Sequence, residues 1–264
     1  MDETKGAAPA ADYDEFVDWN KRLAREAPFF RRVFAAVGVR RIIDVGAGSA
    51  RHAIMFATWG LEVVAVDPDE SMLAQAETNV AARAEEVAEA GGSVQLVRGG
   101  YGELEALGLG PADVLTCTGN ALPHVAGLDG LRSALADFAA VVRADGAVVL
   151  HLLNHAKLLD ARPRTIPPVF RQTPEGEKIF LRVISYPDGD EYLDFDFVTL
   201  VRDASGEWSL SDRRSLHTAL PVKLLDRELD EAGFGDVTAF GSHDGRPLDA
   251  EKDESVILTA RRSA

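Results

Sequence analysis

Along the first stretch of the chain, apolar residues recur at spacings of three and four. Phe16, Trp19 and Leu23 mark one stripe over 13–26, and Phe30, Phe34 and Val37 mark a second after Pro28. The spacing predicts two amphipathic helices joined at the proline, whose missing N–H interrupts a helical ladder. The period then changes. Residues 41–46 form a short apolar run ending in Gly46, followed by a helical stretch to Trp59; 61–66 reads as a strand, 69–90 as a helix on Met72, Ala76, Val80 and Val87, and 93–98 as a strand. A strand over 112–116, a helix on Leu131, Leu135, Phe138 and Val142, and a strand over 147–153 continue the alternation. Strands separated by helices of this length predict a parallel sheet covered on both faces.

From about residue 169 the chain alternates apolar and polar residues strictly, as in Tyr192-Leu193-Asp194-Phe195-Asp196-Phe197-Val198. Stretches 178–186, 191–202 and 207–220, separated by Pro187-Asp188-Gly189-Asp190 and Asp203-Ala204-Ser205-Gly206, predict an antiparallel meander with one wet face. A helix over 223–232 and strands over 236–240 and 254–260 close the series. The expected fold is α/β, a doubly wound seven-stranded sheet interrupted by an inserted antiparallel β meander. Its expected divisions are a mobile tail (1–12), a main domain (13–168 and 221–264) and an inserted subdomain (169–220) facing the substrate.

Charge narrows the partners. Among 264 residues, 28 Lys and Arg face 43 Asp and Glu, a formal charge of −15, with no basic run to track a phosphate backbone. Nucleic acid is therefore not an expected partner. A single cysteine, Cys117, supplies neither a disulfide framework nor a thiolate metal cluster, so no metal is expected. The amino terminus is acidic, and no apolar run approaches the roughly 18 residues of a membrane span; a soluble, cytoplasmic protein without a membrane partner is expected. A homo-oligomer is compatible with all of this.

The chemically informative segment is Asp44-Val45-Gly46-Ala47-Gly48-Ser49-Ala50-Arg51, with Asp67 at the end of the next strand. Glycines between a strand and a helix let a ligand approach the backbone, and an acid ending the following strand can accept hydrogen bonds from both ribose hydroxyls. A dinucleotide would want a small third glycine, where Arg51 stands, and its pyrophosphate would be repelled by Asp44. The carboxylates suit a cationic cofactor instead. The plain alternatives are a tight turn for the glycines, a helix cap for Asp67 and a buried structural acid for Asp44.

D-x-G-x-G, with Asp67-Pro68 and Met72-Leu73 after it, resembles motif I and its sequel in the class I S-adenosylmethionine-dependent methyltransferases, whose sheet is Rossmann-like. Thr118-Gly119-Asn120-Ala121-Leu122-Pro123-His124 resembles the GNS-x-x-H segment of the glycine N-methyltransferase-like branch, and Leu152-Leu153-Asn154-His155 resembles its R-N-Y stretch. The resemblance implies an N-terminal helical lid carrying Tyr13, Trp19 and Arg22, with Arg22 pairing the cofactor carboxylate. It places Asp44, Gly46, Ala47 and Gly48 at the methionine end, Asp67 on the ribose, and Pro68 and Met72 on the adenine face. Gly100 and Tyr101 would meet the adenine edge, and Gly119 and Asn120 would pass near the sulfonium, with Thr118 and His124 as further cofactor contacts. Gly100 stands where an aspartate often contacts adenine, Ala50 replaces the third motif glycine, and His155 replaces the tyrosine of R-N-Y.

The implied cofactor is S-adenosyl-L-methionine, leaving as S-adenosyl-L-homocysteine, and the other partner is a small-molecule methyl acceptor. Methyl transfer is an in-line displacement, so an enzyme supplies mainly alignment, and an amine must be neutral when it attacks. His124, Asn120 and His151 are the catalytic candidates; Tyr13, Asn154, His155, Arg162, Arg164 and His217 are the substrate-side candidates. His52 and His243 read as structural or exposed, Phe195, Phe197 and Trp208 as meander core, and the face of Glu85, Glu86 and Glu89 as solvated. An amine nitrogen leads as acceptor, with a small-molecule hydroxyl or carboxylate oxygen, or a binding protein without transfer, as alternatives.

Overall fold

The computed structural model describes residues 10–173 and 176–263. Five parallel strands, β1 (Arg41–Val45), β2 (Glu62–Asp67), β3 (Ser93–Arg98), β4 (Ala112–Cys117) and β5 (Val142–Leu153), form the body of the main sheet. A second sheet joins β6 (Thr165–Thr173), β7 (Gly176–Ser185), β8 (Tyr192–Arg202) and β9 (Trp208–Thr218) as antiparallel neighbours. The chain then returns through β10 (Phe234–Phe240) and β11 (Ser255–Arg262), which extend the main sheet antiparallel to the order β10-β11-β5-β4-β1-β2-β3. Because β1 pairs β2 on one side and β4 on the other, the winding reverses there and opens a crevice at the carboxyl ends of β1 and β4.

The middles of the central strands are apolar on both faces because both faces are covered. Ile42, Val63 and Val114 pack with Phe29, Phe30 and Phe34 of α2 (Trp19–Val37) and Phe56 of α3 (Arg51–Ala57). Their sequence neighbours Ile43, Val64 and Leu115 point the other way, toward Leu131, Leu135 and Phe138 of α6 (Gly127–Val141) and Leu225 and Leu229 of α8 (Val222–Glu231).

The structure revises several expected boundaries. Pro28 does not separate two helices. It lies inside α2, and the break falls earlier, at Val17–Asp18, between α1 (Ala10–Phe16) and α2. Asp18 starts α2 by accepting the Lys21 amide, and burial of Phe29, Phe30 and Phe34 in one stripe carries the helix past the proline. The helix expected over 69–90 is two, α4 (Glu70–Ala81) and α5 (Ala84–Glu89), parted where the Arg83 amide bonds back three residues to Val80. The antiparallel sheet starts at Thr165, because β6 is an edge strand whose period is hidden by Pro167 and Pro168 at a register shift between Ile166 and Val169. Trp208 is half exposed, with the Arg202 guanidinium over its ring, so it is not meander core. Of the tail expected over 1–12, residues 1–9 lie outside the described residues and 10–12 open α1. Among the described residues no helix is long and apolar enough to cross a membrane.

Candidate active site

The glycine turn closes on Asp67. Gly46 (φ 67°), Gly48 (φ 54°) and Ala50 (φ 60°) take left-handed backbone, which turns the chain from β1 into α3 and aims its amides at the end of β2. The Gly48 amide donates to Asp67 Oδ2 at 2.7 Å and the Asp69 amide to Oδ1 at 3.0 Å. Burial raises the Asp67 pKa from its ordinary value, and the two amides oppose that rise. Asp44 is 1% exposed and accepts from Thr116 Oγ1 on β4 at 2.6 Å, and burial likewise raises its pKa. A side chain at Gly46 would meet Ala121 Cβ at 2.6 Å and Tyr101 Oη at 3.3 Å, so this position brings Tyr101 and the β4 loop against bare backbone. Met72 Sδ stands 3.9 Å from a Cβ built on Gly48, Pro68 is exposed, and the Gly100 amide donates to Glu103 Oε2 at 2.7 Å. Ala47 is tied through its amide to Val66 O at 3.0 Å.

Above the turn lies the N-terminal helix pair. The Arg22 Nε donates to Glu26 Oε1 at 3.0 Å, and His52 Nε2 donates to Glu26 Oε2 at 2.7 Å, with His52 Nδ1 3.3 Å from Thr118 Oγ1. Glu26 is wholly buried. Burial alone would raise its pKa, but the hydrogen bond and charge of His52 and the charge of Arg22 outweigh it and hold the carboxyl well below the usual range. Among the described residues this arrangement leaves Arg22 Nη2 buried with no hydrogen-bond partner, lying with the Tyr13 hydroxyl against Gly119. Trp19 packs edge-on to Tyr13 and His52 and lies under the Arg22 guanidinium.

Asp14, which no motif singled out, docks this lid. It accepts from Trp19 Nε1 at 2.9 Å, Ser49 Oγ at 2.5 Å, Arg51 Nη2 at 2.7 Å and Asn79 Nδ2 at 3.1 Å. Arg51, which breaks the dinucleotide fingerprint, therefore serves to clamp α1 onto the glycine turn. The far end of α1 is held by the second sheet, where Arg171 donates to the Glu15 and Phe16 carbonyls and Lys178 pairs with Glu15. Only a weak signal for Glu26 was available in sequence, its spacing of four from Arg22 on one helix; Asp14 carried none, because its partners come from α2, the glycine turn, α3 and α4.

Several further candidates gather around the turn after β4. Gly119 (φ 71°) and Asn120 (φ 68°) lead into a 3-10 turn, Leu122–His124. Asn120 Oδ1 accepts the Leu153 amide at 2.9 Å, and its Nδ2 lies 3.4 Å from His217 Nδ1. His217 stacks on Phe195 and meets His124 edge-on, each with ring centroids 4.4 Å apart. Burial and the nearby Arg213 charge lower the His124 pKa, and burial with His124, His155 and Arg213 lowers that of His217 to about 3.

Other candidates fall outside this constellation. Asn154 caps α7 (His155–Ala161) and donates to the Ala250 and Asp253 carbonyls. His155 is buried and accepts the Leu220 amide at 2.8 Å. Arg162 and Arg164 are exposed at the start of the second sheet, and Arg162 is already paired with Asp190 at 2.6 Å. His151 lies beneath the lid beside His243; one ring nitrogen of each lies within 4.8 Å of the other and of a Glu26 oxygen, and among the described residues His151 Nδ1 and His243 Nε2 are buried without hydrogen-bond partners. A groove of about 460 Å³ along Arg83, Glu85, Glu86 and Glu89 sits at the opposite end of the strands, on a solvated helix face with no chemistry of its own.

The buried histidines impose a pH dependence. Burial lowers His151 to about 3, and His155 and His243 to about 4. An unfolded histidine, with a pKa near 6.5, binds protons between those values and about pH 6.5 while the folded one does not, so folding stability falls as pH drops through that window. Thermal scans from pH 7 to pH 4 are expected to show a falling Tm below about pH 6.5, and a flat Tm down to pH 5 would contradict it.

The donor set fits S-adenosylmethionine: an orphaned guanidinium nitrogen for a carboxylate, two buried acids for a sulfonium-bearing nucleoside, and bare backbone at Gly46 and Gly119. Comparison with known proteins agrees. A methyltransferase-domain family model matches residues 42–146, from β1 into β5. The glycine/sarcosine N-methyltransferase of Parasynechococcus marenigrum is 28% identical over 237 residues, covering 88% of this chain and 76% of the relative. The CcbJ methyltransferase of Streptomyces caelestis shares the fold at a TM-score of 0.76 and 22% identity, with 100% of each chain covered. A sugar N-methyltransferase from a Streptoalloteichus species superposes at 0.76 and 16% identity over 100% of this chain and 97% of its own.

Proposed function

We propose, since this chain is a class I S-adenosylmethionine-dependent methyltransferase, that its acceptor is an amine nitrogen of a small molecule, methylated in the space between the turn after β4 and the second sheet. The cofactor, when bound, supplies an electrophilic methyl group on its sulfonium. The observation that supports the rest is a buried, amide-pinned carboxylate at Asp67 on the cofactor side together with His124 and His217, whose pKa values burial lowers, beside the turn after β4. On this reading Asp67 holds the ribose diol, Arg22 receives the carboxylate, and Asp44 lends negative charge beneath the methionine portion. Tyr13, Gly119 and Asn120 close on the transferring group and align the acceptor. His124 keeps a lone pair at neutral pH and can take the proton that an amine must lose. The second sheet, expected over 169–220, would act as the acceptor-side wall. The curated relative is named for glycine and sarcosine and one structural neighbour for a sugar, and N-methylation is common to both.

The test is turnover of an amine and hydroxyl panel read by mass, after calorimetry has established S-adenosylhomocysteine binding. An amine product is expected, with His124→Ala slowing transfer about 100-fold at pH 7 and progressively less as pH rises and the amine deprotonates unaided. A loss that stays constant at every pH, with product only on hydroxyls, would shift the assignment to oxygen. Tight cofactor binding with no product across the panel would leave a binding protein.

A further inference from the structure

The polar hub beneath the lid brings together more nitrogen and oxygen atoms than its hydrogen bonds satisfy. Glu26 comes from α2, His151 from β5 and His243 from the loop between β10 and β11. One ring nitrogen of each histidine and one Glu26 oxygen lie within 4.8 Å of one another, and His243 Nε2 stands 3.9 Å from Glu26 Oε2, beyond hydrogen-bond reach. Among the described residues, His151 Nδ1 and His243 Nε2 are buried without a hydrogen-bond partner; Glu26 is wholly buried and His243 is 5% exposed. Two such atoms beside a carboxylate in a dry interior are costly unless a further group joins them.

The chemistry of the three selects what that group is. Two imidazoles and one carboxylate suit a first-row divalent transition ion such as zinc, whereas calcium and magnesium take oxygen ligands. Around a tetrahedral zinc, bonds of about 2.0–2.1 Å put ligand atoms roughly 3.4 Å apart, so the three close on an ion by shifts of about an ångström. The bonds that Glu26 already makes are compatible with this: Oε1 accepts from Arg22 and Oε2 from His52, and each oxygen keeps a second lone pair. His52 then serves as the outer partner that fixes the ligating carboxylate. Phe29 and Phe30 pack against the His243 ring with centroids 5.5 and 5.8 Å away, which holds the ring and excludes water. The Arg22 guanidinium opposes a cation held by charge alone, and this favours an ion bound through imidazole nitrogen.

We propose that Glu26, His151 and His243 bind a divalent transition ion of the zinc type, which fastens α2, the helix that carries Trp19 and Arg22, to β5 and to the loop after β10. The ion stands apart from methyl transfer, and His151 moves from the catalytic candidates to this site. The Asn120 amide donates to the His151 carbonyl at 3.0 Å, so an ion on His151 also steadies the backbone that holds the turn after β4. No local signal marks these ligands in the sequence, because each comes from a different element and no two have the short spacing of a metal motif. The site is independent of the nature of the methyl acceptor.

The test uses the full chain, stripped with a chelator and then dialysed. Zinc chloride titrated by calorimetry at neutral pH is expected to bind saturably with a single equivalent and to raise Tm. His151→Ala and His243→Ala should each weaken zinc by about tenfold or more while circular dichroism shows the parent fold, and Glu26→Gln should weaken it too. His243→Cys, which keeps a ligating atom, should retain most of the affinity. Cobalt(II) offered in place of zinc should give visible absorption bands that vanish in His243→Ala. Absence of saturable zinc binding by the parent would overturn the site, whatever the variants do. Zinc affinity unchanged in both histidine-to-alanine variants would overturn it as well, and so would affinity lost instead in His124→Ala, which assigns the ion to the pair of His124 and His217. Magnesium or calcium bound in preference to zinc would overturn the choice of ion and the ligand set with it.

Discussion

Asp67→Ala is expected to lower affinity for S-adenosylhomocysteine by roughly 30- to 150-fold, about 2–3 kcal/mol, the range for a pair of charge-assisted hydrogen bonds. Asp67 is 7% exposed, at the end of a strand buried on both faces, and its two oxygens are aimed by the Gly48 and Asp69 amides. Each carboxylate oxygen has a further lone pair for a ribose hydroxyl. The alternative, in which Asp67 merely starts α4, is already weakened, because the N-cap is Asp69, whose carboxylate accepts the Ser71 and Met72 amides. Removing Asp67 also strands two amides, so Tm should fall by a few degrees while the fold persists. Calorimetry on the alanine variant decides the matter: affinity within threefold of the parent would remove Asp67 from the ribose.

A second large effect is expected from Glu26→Ala, a loss of about 3–5 kcal/mol of stability, the cost of leaving one member of a buried ion pair without its partner. Glu26 receives Arg22 from its own helix and His52 from α3, and both side chains lie largely out of water, so neither is readily solvated once the carboxylate is gone. For a chain of this size Tm should drop by roughly 6–20 °C. Cofactor affinity should fall as well, since Arg22 would lose the bond that aims its remaining nitrogens at Gly119. Glu26→Gln should recover part of the stability by keeping one acceptor oxygen. A Tm within about 2 °C of the parent for the alanine variant would show that the hub carries little.

Much of this was legible before folding. The seven strands, the doubly wound order and the glycine turn follow from period and punctuation, because a strand buried on both faces must be apolar throughout and a left-handed turn favours glycine. Edges read less well. Pro28 looked like a boundary, yet a buried aromatic stripe carried α2 through it; Pro167 and Pro168 hid β6, because an edge strand tolerates a missing donor that an interior strand would not. Arg162 and Arg164 drew attention as a local pair, yet both are exposed and Arg162 is held by Asp190, a residue 28 positions on that only the fold brings beside it.

The chain alone thus determined which segments are strands or helices and which residues carry a nucleoside-binding turn, since those depend on intervals of two to four residues and on backbone conformations open to glycine. Tertiary structure decided what those residues face. Asp14 docks the lid only because Ser49, Arg51 and Asn79 converge on it from the glycine turn and two helices. Glu26 stays charged only because Arg22 and His52 close on it in a dry interior. Such pairings join residues far apart in sequence, and their strength comes from exclusion of water, which exists only after the chain has packed.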